Sequence, residues 1–150
     1  ESSHVVIVAR DYAEKYTGAT NLEEACCIIH DRGALIAGVT DGANGSYFVW
    51  PDGTAFRCRP FPQASVVDTT GAGDSFHGAF LSKLAVSIRQ ENALYSEFIK
   101  PIDILQSLDH KQLESAAIFA SAVSALNTQG IGGRSALPSL KSACNLAGLE

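Results

Sequence analysis

Nine consecutive residues, Asp68-Thr69-Thr70-Gly71-Ala72-Gly73-Asp74-Ser75-Phe76, bring together the two things that phosphoryl transfer needs side by side. Two glycines flank an alanine, and a carboxylate follows at once. An amphipathic pattern begins at the same point. Phe76, Phe80, Leu84 and Ile88 recur every four residues, the buried stripe of a helix from about Asp74 to Arg89. The first N–H groups of a helix have no internal partner, and the helix dipole adds partial positive charge there. Glycines reach positive φ and let an anion approach the backbone closely. The N–H groups of Ala72, Gly73 and Asp74 would then stabilise a transferring phosphoryl group, while Asp74 accepts a proton from the attacking hydroxyl.

Two other phosphate motifs fail on this run. A P-loop requires GxxxxGK[ST], and no lysine or Ser/Thr stands at those offsets. A Rossmann fingerprint requires GxGxxG, and Phe76 occupies the third glycine position. A plainer reading fits the same residues: Gly71 and Gly73 shape a loop and Asp74 caps a helix. The residues alone leave both open.

The elements that must position this run can be read along the chain. Val5 to Ala9 is a short apolar, β-branched stretch that reads as a buried parallel strand. Asp11 to Tyr16 predicts a short helix ended at Gly18. Asn21 predicts the cap of a second helix, with Glu23 and Glu24 in its first turn and Gly33 breaking it. Ala34 to Thr40 reads as the next strand, which completes a right-handed βαβ unit. Asp41-Gly42-Ala43-Asn44-Gly45 is a turn cluster. Ser46 to Trp50 and Thr54 to Arg59, joined by Pro51-Asp52-Gly53, read as a hairpin. Ala64 to Val67 is expected to be extended and to deliver the glycine run. Gln90 to His110 predicts one or two helices with an irregular link. Lys111 to Asn127 predicts a helix with Leu113, Ala116, Ala117, Ala120 and Val123 on one face. Gly130-Ile131-Gly132-Gly133-Arg134 is a second glycine loop, and Pro138 suits the first turn of a last helix.

The totals bound the class. The 150 residues suffice for one domain with a real core. A hydrophobic fraction of 46% and a charged fraction of 18% are those of a globular protein. The net charge is −5 and no lysine or arginine cluster appears, which argues against a nucleic-acid or anionic-membrane surface. Apolar stretches are too short to cross a bilayer, and no signal-peptide pattern is seen. Cys26, Cys27, Cys58 and Cys144 lack CxxC or Cys/His ligand spacing, so reduced thiols of a cytoplasmic protein are expected. The chain has no methionine and passes from Glu1-Ser2-Ser3-His4 straight into Val5-Val6-Ile7-Val8, which reads as an internal cut in a longer protein.

The run from Asp68 to Phe76 resembles the C-terminal signature of the ribokinase-like (PfkB) carbohydrate kinases. Val39-Thr40-Asp41-Gly42-Ala43-Asn44-Gly45-Ser46 resembles the family's nucleotide loop after a strand. Gly130 to Pro138 is similar to its late loop beside the nucleotide and a monovalent cation. Phe76-His77-Gly78-Ala79-Phe80 is similar to members acting on ketose-type sugars. The resemblance implies a three-layer α/β/α fold with a mostly parallel central sheet. Residues 1–150 would be its C-terminal half, carrying the ATP site and the catalytic base, without the N-terminal substrate and lid part. On its own this stretch is expected to be incomplete as an enzyme.

The implied function is an ATP-dependent phosphotransferase acting on a sugar hydroxyl. Asp74 matches the family's base, and Gly71, Ala72 and Gly73 match its anion hole. Thr40, Gly42 and Gly45 match residues around the ATP ribose and phosphates. Asp68, by carboxylate, and Thr70, by main-chain carbonyl, match a monovalent-cation site that suits potassium, with carbonyls of the Gly130 to Arg134 loop adding to it. Mg2+ accompanies the nucleotide. Sugar and ATP are the implied partners, and the family allows a homodimer through the absent lid.

The family often carries Asn-x-x-Glu after the first strand to order magnesium and phosphates. Here Ala9 and Tyr12 stand at those positions, leaving Asp11, Glu14 or water as substitutes. The ketohexokinase branch departs there too. This departure keeps open a nucleotide-binding pseudokinase or regulatory module, and a nucleoside kinase of the same family is a further alternative.

Several residues carry two readings. Asn127 and Ser124 border the adenine or, for Asn127, cap a helix. His77 reaches the site or packs beside it. Arg134 pairs with a phosphate or bonds nearby carbonyls. Tyr47, Phe48, Trp50 and Phe56 form an aromatic patch or pack the hairpin over the sheet.

Overall fold

A computed structural model describes residues 3–62, 65–94 and 99–149. The chain divides into two compact units, residues 1–59 and 60–150.

The first unit opens with β1 (Val5–Ala9), α1 (Arg10–Thr17), α2 (Leu22–Asp31) and β2 (Ile36–Thr40), the expected βαβ unit. Gly18 ends α1 in the left-handed conformation at φ 78°, and the Asn21 side chain accepts the Glu24 N–H at 2.8 Å to cap α2. β3 (Ser46–Val49) and β4 (Ala55–Cys58) form the hairpin. Strand order is β1-β2-β3-β4, with β1 parallel to β2 and the other two pairings antiparallel. The four strands of this unit therefore form a mixed sheet, with the expected hairpin as its antiparallel part. Connection length is the reason. A parallel return needs a crossover of a dozen residues or more, and only the stretch between β1 and β2 provides one. The Asp41–Gly45 and Pro51–Thr54 links can only reverse the chain.

Alternation along the strands sorts the side chains. Val6, Val8, Ala37, Val39, Tyr47 and Val49 pack with Ala13, Leu22, Ala25, Cys26 and Ile29 of the two helices. Cys26 donates its thiol to Ala37 O at 3.2 Å, and burial pushes its pKa up to about 12, so it is no nucleophile at neutral pH. On the opposite face Gly38 lies under the Phe48 ring. A β-carbon at Gly38 would stand 2.5 Å from Phe48 Cε1, so only glycine fits there. Phe48 and Trp50 are buried and stacked at 5.0 Å, and Phe56 stacks on Trp50 at 6.0 Å. The aromatics pack the hairpin over the sheet.

The second unit holds α3 (Ala72–Asn92), α4 (Pro101–Ser107), α5 (His110–Asn127) and α6 (Leu140–Ala147). Ala64 and part of the link after α3 fall outside the described residues, and 65–69 form no regular element. α3 buries Phe76, Ala79, Phe80 and Leu84, and α5 buries Leu113, Ala116, Ala117, Ala120 and Val123. The small residues of α5 let the two helices pack closely along their length. They run antiparallel and are tied at both ends. Gln112 Nε2 donates to Glu91 Oε1 at 2.8 Å, and Ser124 Oγ donates to Ala72 O at 2.9 Å. Asp109 and Gln112 form a capping box at the start of α5.

Two boundaries differ from expectation. α3 begins at Ala72, so Asp74 is its third residue rather than its first. Pro138 precedes α6 instead of entering its first turn. Ser139 takes the cap because its hydroxyl accepts the Ser142 N–H at 3.1 Å, a bond that proline has no means to make.

Candidate active site

In the second unit the run from Asp68 to Asp74 forms a tight bend opening α3. Gly71 caps the helix in the left-handed conformation, φ 75° and ψ 3°, without a side-chain cap. The Ala72 N–H donates to Thr69 O at 3.1 Å, inside the bend. The first helical bond is Ser75 N–H to Gly71 O at 2.9 Å. Between them, the N–H groups of Gly73 and Asp74 have no acceptor among the described residues, as the opening turn of a helix requires. Of the three amides named from the sequence, two are therefore open. Gly73 and Asp74 are both exposed, and Asp74 stands in the positive field of a 21-residue helix.

The bend is held from three directions. Asp68 Oδ1 accepts the Thr70 N–H at 2.8 Å, and its Oδ2 accepts the Gly132 N–H at 2.8 Å. Thr128 O accepts both the Val67 N–H at 2.8 Å and the Asp68 N–H at 3.1 Å. Gly133 bears directly on Gly71: its Cα and O would lie 2.5 and 2.6 Å from a β-carbon there. The two glycine loops, 60 residues apart in sequence, are thus one structure. Asn127 Nδ2 donates to Gly133 O at 3.1 Å, and Thr128 rather than Asn127 is the helix cap. Asn127 is fully buried. Gly130 packs under Ala136, where a β-carbon would stand 2.8 Å from Ala136 Cβ.

His77 Nδ1 lies 2.7 Å from Gly73 O. A carbonyl only accepts, so Nδ1 carries the proton and the ring braces the first turn.

The N–H groups of Gly132 and then Thr70 hold the Asp68 carboxyl below the usual aspartate range. A depressed folded-state pKa stabilises the protein above the unfolded value of ~4 and loses that contribution as pH falls through the folded one. The wild type is therefore expected to show an acid-side fall in melting temperature, below pH ~4, that Asp68→Asn reduces. Melting curves from pH 7 to pH 2.5 on both proteins check this, and parallel curves would contradict it.

In the first unit Thr40 ends β2, and Gly42 and Gly45 stand at φ 49° and 90° in the turn that follows. Asp41 N–H donates to Gly45 O at 2.8 Å and closes the turn. The Asp41 carboxylate accepts from Asn44 Nδ2 and from an Arg10 Nη, each at 3.1 Å, and Arg10 Nε reaches Glu14 at 2.7 Å. Glu14 is thus already engaged. Tyr12 is 57% exposed and stacks on Tyr16 at 5.9 Å.

Among the described residues, no group of three or more His, Cys, Asp or Glu is placed to hold a metal. No helix of the described residues is long and apolar enough to cross a membrane. The four cysteines are free thiols.

Residues 1–140 match the family described as pfkB family carbohydrate kinase. The chain is 31% identical over 116 residues to the bifunctional ribokinase/ribose-5-phosphate isomerase A of Fructilactobacillus sanfranciscensis, covering 77% of this chain and 17% of that protein. Among solved structures, a fructokinase double mutant from Vibrio cholerae O395, in fructose, ADP and potassium ion bound form, superposes with a TM-score of 0.74 at 24% identity. The match covers 96% of this chain and 40% of the fructokinase. Aminoimidazole riboside kinase from Salmonella enterica, complexed with aminoimidazole riboside and an ATP analog, gives 0.70 at 25% identity, covering 96% and 42%. The chain thus spans less than half of each, and the shared fold is that of the ribokinase-like kinases.

Proposed function

Because the chain belongs to the pfkB family of carbohydrate kinases, we propose that the whole protein transfers the γ-phosphoryl group of ATP to a sugar hydroxyl. Residues 1–150 supply the C-terminal, catalytic part. One observation carries the reading: the amides of Gly73 and Asp74, with no acceptor among the described residues, open beside the exposed Asp74 carboxylate. Asp74 takes the proton of the acceptor hydroxyl as its oxygen bonds to the γ-phosphorus. The bond from that phosphorus to the β–γ bridging oxygen breaks, and ADP leaves with the electron pair. The two amides, with Gly71 and Ala72 shaping the bend, donate to the phosphoryl oxygens as negative charge spreads over them. Magnesium supplies charge neutralisation on the nucleotide's phosphate oxygens.

Thr40, Gly42 and Gly45 are the nucleotide-contacting residues of the first unit in this reading, and Gly130 shapes the late loop of the second. Asp68 and Thr70 offer the carboxylate and carbonyl oxygens that a potassium-like ion takes. Each Asp68 oxygen accepts one N–H and keeps further lone-pair capacity. The fructokinase neighbour has a potassium ion bound, which is in keeping with a monovalent cation in this reading.

A second reading has its own observation. Ala9 and Tyr12 offer no carboxylate at the Asn-x-x-Glu positions, and Arg10 engages Glu14. That pattern favours a pseudokinase which binds nucleotide without turnover. The whole protein assayed with ATP-Mg against D-fructose, D-ribose and adenosine, alongside ATP calorimetry, separates the readings. Phosphorylation of a sugar is the expected result. Turnover of adenosine alone would make it a nucleoside kinase. Bound ATP without any turnover would establish the pseudokinase, and no ATP binding would overturn both.

A further inference from the structure

The bend that carries Gly71, Gly73 and Asp74 takes its shape from the C-terminal end of α5. Ser124 and Thr128 act on the bend directly, through Ala72 O and through the Val67 and Asp68 amides. Asn127 acts at one remove. Its Nδ2 holds Gly133 O at 3.1 Å, and Gly133 is the residue that bears on Gly71.

Asn127 is also the anomalous member of the three. It is 0% exposed, and its Oδ1 has no hydrogen-bond partner among the described residues. A buried amide oxygen without a partner is costly, and a leucine of similar size would escape that cost. What asparagine supplies and leucine lacks is a donor fixed on Gly133 O. The side chain reaches no solvent, so any effect on a ligand must pass through the loop.

We propose that Asn127 is a positioning residue, which seats Gly133 against Gly71 and thereby sets the direction of the Gly73 and Asp74 amides. The consequence for turnover rests on the kinase reading above, whereas the effect on the amides does not.

The test uses the whole protein with two substitutions. Asn127→Leu removes the donor and the orphaned oxygen together, so the fold is expected to keep a melting temperature close to that of the wild type. Asn127→Asp keeps the shape and removes the donor. In both, the amide resonances of Gly71, Gly73 and Asp74 are expected to move. With ATP and whichever of D-fructose or D-ribose the wild type accepts, kcat is expected to fall by about 10-fold or more, with KM for the sugar nearly unchanged. Wild-type amide positions in a folded Asn127→Leu protein would overturn the proposal. So would unmoved amides in a folded Asn127→Asp protein, or a loss of activity that only tracks a loss of stability. A wild type that phosphorylates neither sugar, with amides that still move in both variants, would sink the sugar-kinase reading and leave the positioning role standing.

Discussion

Asp74→Ala in the whole protein is expected to lower kcat by about 100-fold or more while leaving the fold intact. The carboxylate is exposed at the third residue of α3, so no cavity opens when it is removed. Its structural contribution is that of an acidic group in the first turn, at most about 1 kcal/mol of helix-dipole stabilisation. The catalytic loss is larger because the acceptor hydroxyl would have to surrender its proton to water. Asp74→Asn makes the comparison sharper, since it preserves shape and the Gly73 and Asp74 amides but removes the base. Both substitutions should depress kcat and leave nucleotide affinity within a few-fold. Steady-state kinetics, with melting curves to establish folding, decide the matter. A variant that keeps more than about a tenth of wild-type turnover is incompatible with general-base catalysis at this position.

Local rules made much of the architecture legible before any coordinates. Asn21 capped α2 and Gly18 closed α1, because both depend on interactions within four residues. The four-residue apolar spacing found the face of α3 through Phe76, Phe80 and Leu84. Where expectation and structure part, the competing influence is identifiable. α3 starts two residues early because Gly71, at positive φ, caps it in place of a side chain.

The candidate site was legible in its parts and not in its assembly. The residues from Asp68 to Asp74 could be singled out because a carboxylate, two glycines and a helix start lie within one stretch. Nothing in the sequence announced that Gly133 would rest on Gly71, or that Thr128 O would take two amides of the bend. Those contacts join positions 60 or more residues apart through backbone atoms, which every residue has. Thr128 was missed for that reason, and the hydrogen bonds of Ser124 to Ala72 O and of Asn127 to Gly133 O had no local signal either. Ala72 was counted among the open amides because helix-end reasoning does not foresee the turn that gives its N–H to Thr69 O.

Gly71→Ala is the substitution expected to harm both fold and chemistry. Two costs arise at once. At φ 75° an alanine sits where L-residues are disfavoured, a penalty of about 1–2 kcal/mol. Its β-carbon would also stand 2.5 Å from Gly133 Cα and 2.6 Å from Gly133 O, which are backbone atoms that no rotamer change moves aside. Overpacking of this kind typically costs about 1–3 kcal/mol more. The loop cannot retreat without straining the Gly132 N–H bond to Asp68 and the Asn127 bond to Gly133 O. The combined destabilisation is therefore expected at about 2–5 kcal/mol, read from urea unfolding midpoints at unchanged slope. In the fraction that stays folded, the Gly73 and Asp74 amides shift with the bend, and kcat should fall further than the folded fraction alone explains. Gly73→Ala separates the two effects, because a β-carbon there meets nothing within 4 Å and the residue has no positive φ. That variant should fold like the wild type. A Gly71→Ala protein as stable and active as Gly73→Ala would mean that the close approach of Gly133 to the bend has no part in either stability or turnover.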